Sequence, residues 1–292
     1  MTDTATPRTL VEFAEHCFKE SDLYYGHGTD NPADEAFYLV MTALQLDFDC
    51  DEAVLDQALP AAIADKVKTL VRRRIDERVP VAYLVNEAWF AGLPFYVDKR
   101  VLIPRSPVAE LIQEKFSPWI EEDDVTSILD LGTGSACIPV ACAYAFAEAE
   151  IDAVDIDTDA LAVAVKNLEL HNMTDRIRLY QSDLFEQLPA RQYDIIISNP
   201  PYVGQEEMQD LPAEYHHEPV HALEADDNGL LLVDRILKQA CNYLTEQGIL
   251  IVEVGNSKEA LVEKYPGLPF TWLEFENGGD GVFLLNKSDL LI

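Results

Sequence analysis

Ile128-Leu129-Asp130-Leu131-Gly132-Thr133-Gly134-Ser135 is the segment from which the fold class of this chain is best predicted. A short apolar run leads into two glycines separated by one residue, and a second apolar segment follows. This order predicts a buried strand, a tight turn and a helix. Glycines let the backbone approach a ligand closely, and a helix N-terminus offers free N–H groups. The stretch therefore predicts a ligand-binding strand–turn–helix unit.

Strands and helices alternate on both sides of this unit. Apolar or β-branched runs predict strands over residues 127–131, 151–155, 177–180, 194–198 and 249–254. Helical segments are predicted over 138–148, 160–170 and 230–244. Such alternation is typical of a doubly wound parallel sheet. Residues 270–275 and 282–285 flank a glycine-rich turn and predict an antiparallel hairpin that closes the edge of the sheet.

The first third of the chain has a different pattern. Apolar residues recur at helical spacing between residues 8 and 78, and the turn-forming segment 25–32 interrupts them. Residues 89–103 then predict a β-hairpin, after which Ser106 is placed to cap a helix that begins at Pro107. We therefore expect a helical domain over 1–80, a β-hairpin linker over 81–105 and an α/β domain over 106–292.

The charge of the chain is unusual. Its 292 residues include 21 basic and 53 acidic side chains, a net charge of −32. Such a field repels bare nucleic acid and attracts basic partners. Adaptation to a salty cytoplasm explains the same acidity, and the sequence leaves both explanations open.

The cellular compartment is predicted from cysteines and hydropathy. The five cysteines are odd in number and form no C-x-x-C pair, which favours free thiols in a reducing cytosol. The sequence shows no export signal and no apolar run near the roughly 20 residues of a membrane span. We expect a cytoplasmic protein without a membrane partner.

Acidic residues around the glycine turn indicate the ligand. Cys137 occupies the position of the third glycine in the dinucleotide fingerprint, and Asp130 would repel a pyrophosphate. Asp130 instead suits a ligand that carries an ammonium and a sulfonium. Asp155 ends the next strand, where an acid hydrogen-bonds ribose hydroxyls. The competing role of a helix cap fits Asp157 better.

The third strand ends near Asp183 and Leu184. At this sheet edge Asp183 could hold an adenine amino group, with Leu184 against the ring. A turn-capping role for Asp183 stays open.

Asn199-Pro200-Pro201-Tyr202 follows the fourth strand and indicates the acceptor. An amide NH2 is a poor nucleophile because its lone pair is delocalised into the carbonyl. The Asn199 side-chain oxygen and the Pro200 carbonyl can accept both N–H bonds and so orient that lone pair. The two prolines stiffen the loop, and Tyr202 can stack on a planar amide. A simple turn would explain the prolines, but not their place downstream of Asp130 and Asp155.

These motifs together resemble the seven-stranded class I methyltransferases that act on amino groups. Within them the chain resembles the protein N5-glutamine methyltransferases over nearly its whole length, including residues 102–107 and 217–223. The resemblance implies S-adenosyl-L-methionine as cofactor, a Rossmann-like catalytic domain and a helical N-terminal domain for substrate recognition. It implies that Asp130, Gly132, Thr133, Gly134 and Asp155 bind the cofactor, and we add Asp183, Leu184 and Asn199 as further candidates because they lie at the ends of neighbouring strands. It also implies that Asn199, Pro200, Pro201 and Tyr202 hold the glutamine, with Asn199, Pro200 and Tyr202 catalytic.

Three segments are similar to the branch that methylates protein 3 of the large ribosomal subunit: residues 24–32, 270–275 and 277–283. The release-factor branch usually has Arg-Pro-Glu/Asp-Thr where this chain has Arg105-Ser106-Pro107-Val108. We therefore expect a basic ribosomal protein as substrate, modified before assembly. Methylation of release factors remains an alternative.

Two other functions are compatible with parts of the sequence. A base methyltransferase would present a similar loop to an exocyclic amine, but it would need a basic groove for phosphates. A non-catalytic Rossmann-type module would not need the Asn199 loop. Pro219 breaks any helix that would align His217 with His221, so no metal site is expected. A basic cluster between Lys66 and Arg78 is either a solvated helix face or a docking patch.

Overall fold

The computed structural model describes residues 5–227 and 229–291, and its chain contacts form two compact units. The first unit runs to Ala88 and also takes in Val97–Lys99 and Pro212–His217. The second unit holds Trp89–Tyr96, Arg100–Leu211 and the chain from Glu218 onward. A short piece of the C-terminal half is therefore part of the N-terminal unit.

The first unit is helical, as the periodicity predicts. Its helices are α1 (Pro7–Lys19), α2 (Pro32–Leu44), α3 (Glu52–Leu55), α4 (Ala61–Asp76) and α5 (Val81–Val85). The Thr6 hydroxyl caps α1 and the Asn31 side chain caps α2, each accepting backbone N–H groups of the first turn. Leu10, Phe18 and Leu39 are fully buried in the core between these helices.

A buried charge cluster connects α4 to the segment Pro212–His217. Arg74 donates to the carboxylates of Glu35 at 2.5 Å and Glu214 at 2.9 Å, and all three side chains are buried. Arg78 also donates to Glu214, at 3.1 Å. The basic residues between Lys66 and Arg78 therefore do not share one environment. Arg74 is an internal ion-pair partner and does not belong to a solvated face.

The second unit contains a seven-stranded sheet. After a separate two-stranded hairpin of β1 (Ala88–Phe90) and β2 (Leu93–Phe95), the strands are β3 (Ser127–Leu131), β4 (Glu150–Asp155), β5 (Ile177–Gln181), β6 (Tyr193–Ser198), β7 (Leu244–Glu253), β8 (Thr271–Trp272) and β9 (Val282–Asn286). Their order is β5-β4-β3-β6-β7-β9-β8. The first five pair in parallel, and β9 is antiparallel to both neighbours. The predicted sheet and its antiparallel edge are confirmed.

The helices of this unit are α6 (Val108–Gln113), α7 (Cys137–Ala145), α8 (Thr158–Leu170), α9 (Glu207–Asp210), α10 (Leu231–Gln239) and α11 (Lys258–Lys264). Successive residues of β3 face opposite sides. Ile128 packs into one apolar core and Leu129 into the other. Burial on both faces explains why the central strands are continuously apolar.

Several predicted boundaries were wrong. The helix predicted to reach residue 244 ends at Gln239, because Leu244 already pairs with Tyr193 in the sheet. The helix predicted from Pro107 begins at Val108, whose N–H the Ser106 hydroxyl accepts at 3.3 Å. The strand predicted over 270–275 shortens to two residues, the only ones there in register with β9. In the described residues, no helix is long and apolar enough to cross a membrane.

Candidate cofactor and acceptor site

A cavity of about 280 Å³ opens at the carboxyl ends of β3, β4 and β6. The strand order reverses between β4-β3 and β3-β6, and open α/β sheets bind ligands at such a switch point. The second unit alone supplies the lining: Arg100, Val101, Leu102, Pro104, Arg105, Ser106, Leu131, Gly132, Thr133, Gly134, Ser135, Cys137, Ile138, Asp155, Ile156, Ala160, Ser182, Asp183, Leu184, Ser198, Asn199, Pro200, Pro201, His221, Ala222, Leu232 and Arg235.

The glycine turn after β3 forms the floor of this cavity. Gly132 and Gly134 have φ values of +74° and +53°, which favour glycine, and a Cβ on either would project into open space. The N–H groups of Gly132 and Thr133 donate to the Val154 carbonyl at 2.9 and 2.8 Å. The turn is therefore fixed in a shape that leaves room for a ligand against its backbone.

Asp130 lies in β3, two residues before Gly132, and is not among the residues that line the cavity. Its side chain is fully buried, and no hydrogen bond from the described residues reaches either carboxylate oxygen. Burial raises the pKa of Asp130 to about 7. A buried carboxylate without a partner is costly, so a ligand with a cationic group fits this position.

Asp155 ends β4 and lines the cavity. One carboxylate oxygen accepts the Gly134 N–H at 2.8 Å, and the other accepts the Asp157 N–H at 2.9 Å. Burial raises the pKa of Asp155. Each oxygen keeps acceptor capacity for a ligand hydroxyl. The helix-capping role belongs to Asp157, as predicted, because its side chain accepts the Asp159 N–H at the start of α8.

Asp183 and Leu184 line the cavity next to Arg235 of α10. Arg235 donates to the Asp183 carboxylate at 2.8 Å, so that one acceptor position is taken and the side chain is held in place. Leu184 has a φ of +52° and is buried, with Leu232 also in the wall. An apolar wall with one oriented carboxylate suits a planar ring that bears an amino group.

The acceptor loop, Asn199-Pro200-Pro201-Tyr202, follows β6. The Ser198 hydroxyl donates to the Leu131 carbonyl at 2.8 Å and so ties the loop to the start of the glycine turn. Asn199, Pro200 and Pro201 line the cavity, and no hydrogen bond among the described residues involves the Asn199 side chain. That amide is available to a ligand.

Tyr202 is placed differently from its three neighbours. It is not among the residues that line the cavity, and its hydroxyl donates to Glu253 at 3.0 Å. A Cβ on Gly255 would lie 2.5 Å from the Tyr202 ring, so the ring packs on the Gly255 backbone. Stacking of Tyr202 on the acceptor amide stays a prediction.

Several lining residues were not assigned a role from the sequence. Leu102, Pro104, Arg105 and Ser106 line the cavity, and the family resemblance of their segment is the only signal for them in the sequence. Arg235 and Leu232 carry no sequence signal, because a helix distant in the chain brings them to the site. The Arg105 guanidinium donates to the two carboxylate oxygens of Glu218 at 2.7 and 2.8 Å, and this pairing holds the Arg105 side chain in place.

The histidines near residue 220 have separate partners. His217 hydrogen-bonds the Glu77 carbonyl at 2.8 Å within the helical unit, and His221 lies 2.9 Å from the Asp157 carboxylate. In residues 5–227 and 229–291, no group of three or more His, Cys, Asp or Glu side chains is arranged for a metal ion.

Comparison with known proteins determines the family. The ribosomal protein uL3 glutamine methyltransferase of Francisella tularensis subsp. tularensis is 49% identical over 287 residues, 98% of this chain and 91% of the relative. That of Xanthomonas campestris pv. campestris is 46% identical over 283 residues, 97% and 91% of the two chains. The chain belongs to the ribosomal protein uL3 glutamine methyltransferase family. The methyltransferase small domain family also matches, over residues 114–217.

A solved structure agrees with the fold. The hMettl16 catalytic domain, determined in complex with a MAT2A 3′UTR hairpin, superposes with a TM-score of 0.53 at 20% identity. The match covers 77% of this chain and 81% of that one. It supports the class I methyltransferase fold. This family member is thus an S-adenosylmethionine-dependent methyltransferase, and the unpartnered Asp130 and the open glycine turn fit that cofactor.

Proposed function

We propose that this protein transfers a methyl group from S-adenosylmethionine to the side-chain amide nitrogen of a glutamine in ribosomal protein uL3. The observation that carries the proposal is the position of the Asn199 amide, which lines the cofactor cavity with no hydrogen bond from the described residues. The names of the two relatives supply the substrate.

The acceptor loop would orient the substrate amide. The Asn199 side-chain oxygen accepts one N–H and the Pro200 carbonyl accepts the other, so the nitrogen lone pair turns away from its own carbonyl. Because both prolines restrict the backbone, the acceptors are in place before substrate binds. Orientation of this kind lowers the barrier of a reaction whose nucleophile is weak.

The cofactor would lie on the glycine turn. When bound, it supplies an electrophilic methyl group on a positively charged sulfur. Asp130 would face its ammonium group, Asp155 its ribose hydroxyls, and Asp183 with Leu184 its adenine. Gly132, Thr133 and Gly134 would contact it through the backbone. The same cavity borders Asn199, so cofactor and acceptor would meet at one edge of the sheet.

Substrate recognition is assigned to the helical region. The expected division was a recognition domain over 1–80, a linker over 81–105 and a catalytic domain over 106–292. Because α5 and Ala88 belong to the helical unit and Trp89–Tyr96 to the other, we propose recognition by the helical unit and catalysis by the second unit. The acidity of the chain supports capture of a basic protein, since a net charge of −32 attracts cationic partners. The same charge is repelled by an assembled subunit coated with phosphate. We therefore place the reaction before or early in assembly, in the cytoplasm.

Base methylation is the rival function. An exocyclic amine of adenine, cytosine or guanine presents a similar NH2 group to the acceptor loop. Binding of nucleic acid, however, depends mostly on basic side chains that neutralise phosphates. The charge of −32 disfavours such binding.

The direct test is a methyl-transfer assay with purified protein, labelled cofactor, free uL3 and a matched uL3 whose glutamines near the modified peptide are replaced by asparagine. We expect label on one peptide of the first substrate, with a mass increase of roughly 14 Da for one CH2. Release factors and RNA serve as competing substrates. Label on RNA alone would reject the proposal.

A further inference from the structure

Glu253 ends β7 beside the acceptor loop. Strand β7 pairs in parallel with β6, and Val252 is in register with Ser198. Glu253 therefore lies at the level where the chain leaves β6 and enters Asn199. Its side chain is only 6% exposed, although it carries an acidic group. A buried acid at the edge of a ligand cavity calls for an explanation.

The Glu253 carboxylate joins two chain segments that border the cavity. One oxygen accepts the Tyr202 hydroxyl at 3.0 Å, and the other accepts the Ser106 hydroxyl at 2.5 Å. Tyr202 belongs to the acceptor loop, and Ser106 lines the cavity. One side chain thus connects the acceptor loop to a second segment that lines the cavity.

Tyr202 is held at three further points. The Ser257 hydroxyl donates to its carbonyl at 3.0 Å. A Cβ on Gly229 would lie 2.0 Å from that carbonyl oxygen, and a Cβ on Gly255 would lie 2.5 Å from the ring. Both glycines have positive φ, so this close packing depends on glycine. The backbone and ring are therefore fixed, and the hydroxyl points at Glu253.

We propose that Glu253 is a positioning residue for methyl transfer, which acts through Tyr202 and Ser106 to set the distance between the acceptor loop and the cavity wall. This inference rests on the proposed function. Glu253 itself does not line the cavity, so it acts on the acceptor through the loop. A small displacement of a reacting group costs a large factor in rate, and a carboxylate accepts hydroxyls more strongly than an amide does.

The test uses Glu253→Gln, Tyr202→Phe and the double variant in the full-length protein. Turnover is measured on free uL3 per cofactor-binding site, with sites counted by calorimetric titration with the demethylated cofactor. We expect each single variant to lower kcat by about tenfold or more, with cofactor affinity within about twofold. The two effects should be clearly less than multiplicative in the double variant, because both changes act on the hydrogen bond between the Tyr202 hydroxyl and Glu253.

Tyr193→Phe is the matched control. The Tyr193 hydroxyl donates to the buried Asp152 carboxylate at 2.8 Å, but Tyr193 begins β6 and lies at the opposite end of the strand from the acceptor loop. This variant should lower the thermal midpoint while kcat per binding site stays near that of the wild type. A loss of kcat in the Glu253 and Tyr202 variants but not in Tyr193→Phe would distinguish a positioning role from a general contribution to stability.

The outcomes distinguish the two proposals. If the wild-type protein fails to methylate uL3, the proposed function fails and the positioning role fails with it. If the wild type is active and Glu253→Gln retains its kcat, only the positioning role is overturned. Effects of the two single changes that multiply in the double variant would also overturn it, since independent effects would show that Glu253 does not act through Tyr202.

Discussion

A carboxylate oxygen of Asp155 accepts the backbone N–H of Gly134 at 2.8 Å. An acid at the end of β4 therefore holds the glycine turn that follows β3. The second oxygen accepts the Asp157 N–H, so the start of α8 is tied to the same side chain. Asp155 and Gly134, both predicted to bind the cofactor, are thus joined by a hydrogen bond. Replacement of Asp155 is therefore expected to disturb the glycine turn as well.

Replacement of Asp155 should weaken the cofactor site. For Asp155→Ala we expect a loss of roughly 1.5–3 kcal/mol in the free energy of S-adenosylmethionine binding, the usual value of hydrogen bonds to a charged group. Asp159→Ala, which removes an exposed acid from α8, is the control and should bind normally. Calorimetry measures both, and unchanged affinity in Asp155→Ala would remove this residue from the site.

Replacement of Asn199 should separate binding from chemistry. We expect Asn199→Ala to keep cofactor affinity within about threefold while turnover falls by about 100-fold or more, because the lost contact matters most in the transition state. The exposed Asn242 gives a control alanine variant with normal turnover. An Asn199→Ala protein with near-normal turnover would disprove the acceptor role.

The stability of the ligand-free protein should fall as pH rises, in part through Asp130. Burial raises the pKa of Asp130 to about 7, above the value of about 3.9 in an unfolded chain. The contribution of this group is therefore fully present below about pH 4 and is lost as pH rises through about 7.

Asp130→Asn removes this dependence. The ligand-free variant should melt several degrees above the wild type at about pH 8, and the difference should shrink towards zero as pH is lowered to about 4. The same variant should gain less stability from added S-adenosylmethionine. Scanning calorimetry over a pH series is the measurement, and equal melting temperatures at the high-pH end would contradict the expectation.

Two neighbouring arginines of α4 should differ greatly in their effect on stability. Arg74 is 1% exposed and pairs with Glu35 and Glu214, whereas Arg73 forms an exposed i,i+4 pair with Glu77. Removal of one partner from a buried pair costs about 3–5 kcal/mol, and an exposed helix pair contributes about 0.3–0.5 kcal/mol. Denaturant unfolding of Arg74→Ala and Arg73→Ala compares them. Equal losses would show that the buried cluster contributes little.

The salt dependence of the methylation rate should show whether the acidic surface serves substrate capture or adaptation to salt. If the charge of −32 captures free basic uL3, added salt should slow methylation, since the Debye length falls from about 10 Å at 0.1 M to about 3 Å at 1 M. Adaptation to a salty cytoplasm predicts the opposite trend. Initial rates on free uL3 and on intact large subunits, across a salt series, give the comparison. Equal rates on both substrates would refute the electrostatic argument.

The central sheet could be predicted because local patterns and long-range structure agree there. The runs that form β3 and β6 are apolar on both faces, and their ends carry the glycine turn and the Asn-Pro-Pro-Tyr loop. The bounds of two strands could not be predicted in the same way: the short hairpin strand Thr271–Trp272 and the early start of β7. Pairing with residues distant in the chain determines where these strands begin and end. The strand propensity of a short segment gives no information about which distant residues it will pair with.

The class I architecture, the cofactor type and the two motifs at the sheet edge could be predicted from the sequence, because each depends on residues adjacent in the chain. Other contacts arise only when the chain folds: Glu253 accepts the hydroxyls of Tyr202 and Ser106, Arg235 holds Asp183, and Arg74 is buried between two acids. Each of these contacts joins segments at least 39 residues apart. Such partners are selected by packing of the whole fold, and a charged residue has the same local pattern whether it meets water or a buried carboxylate.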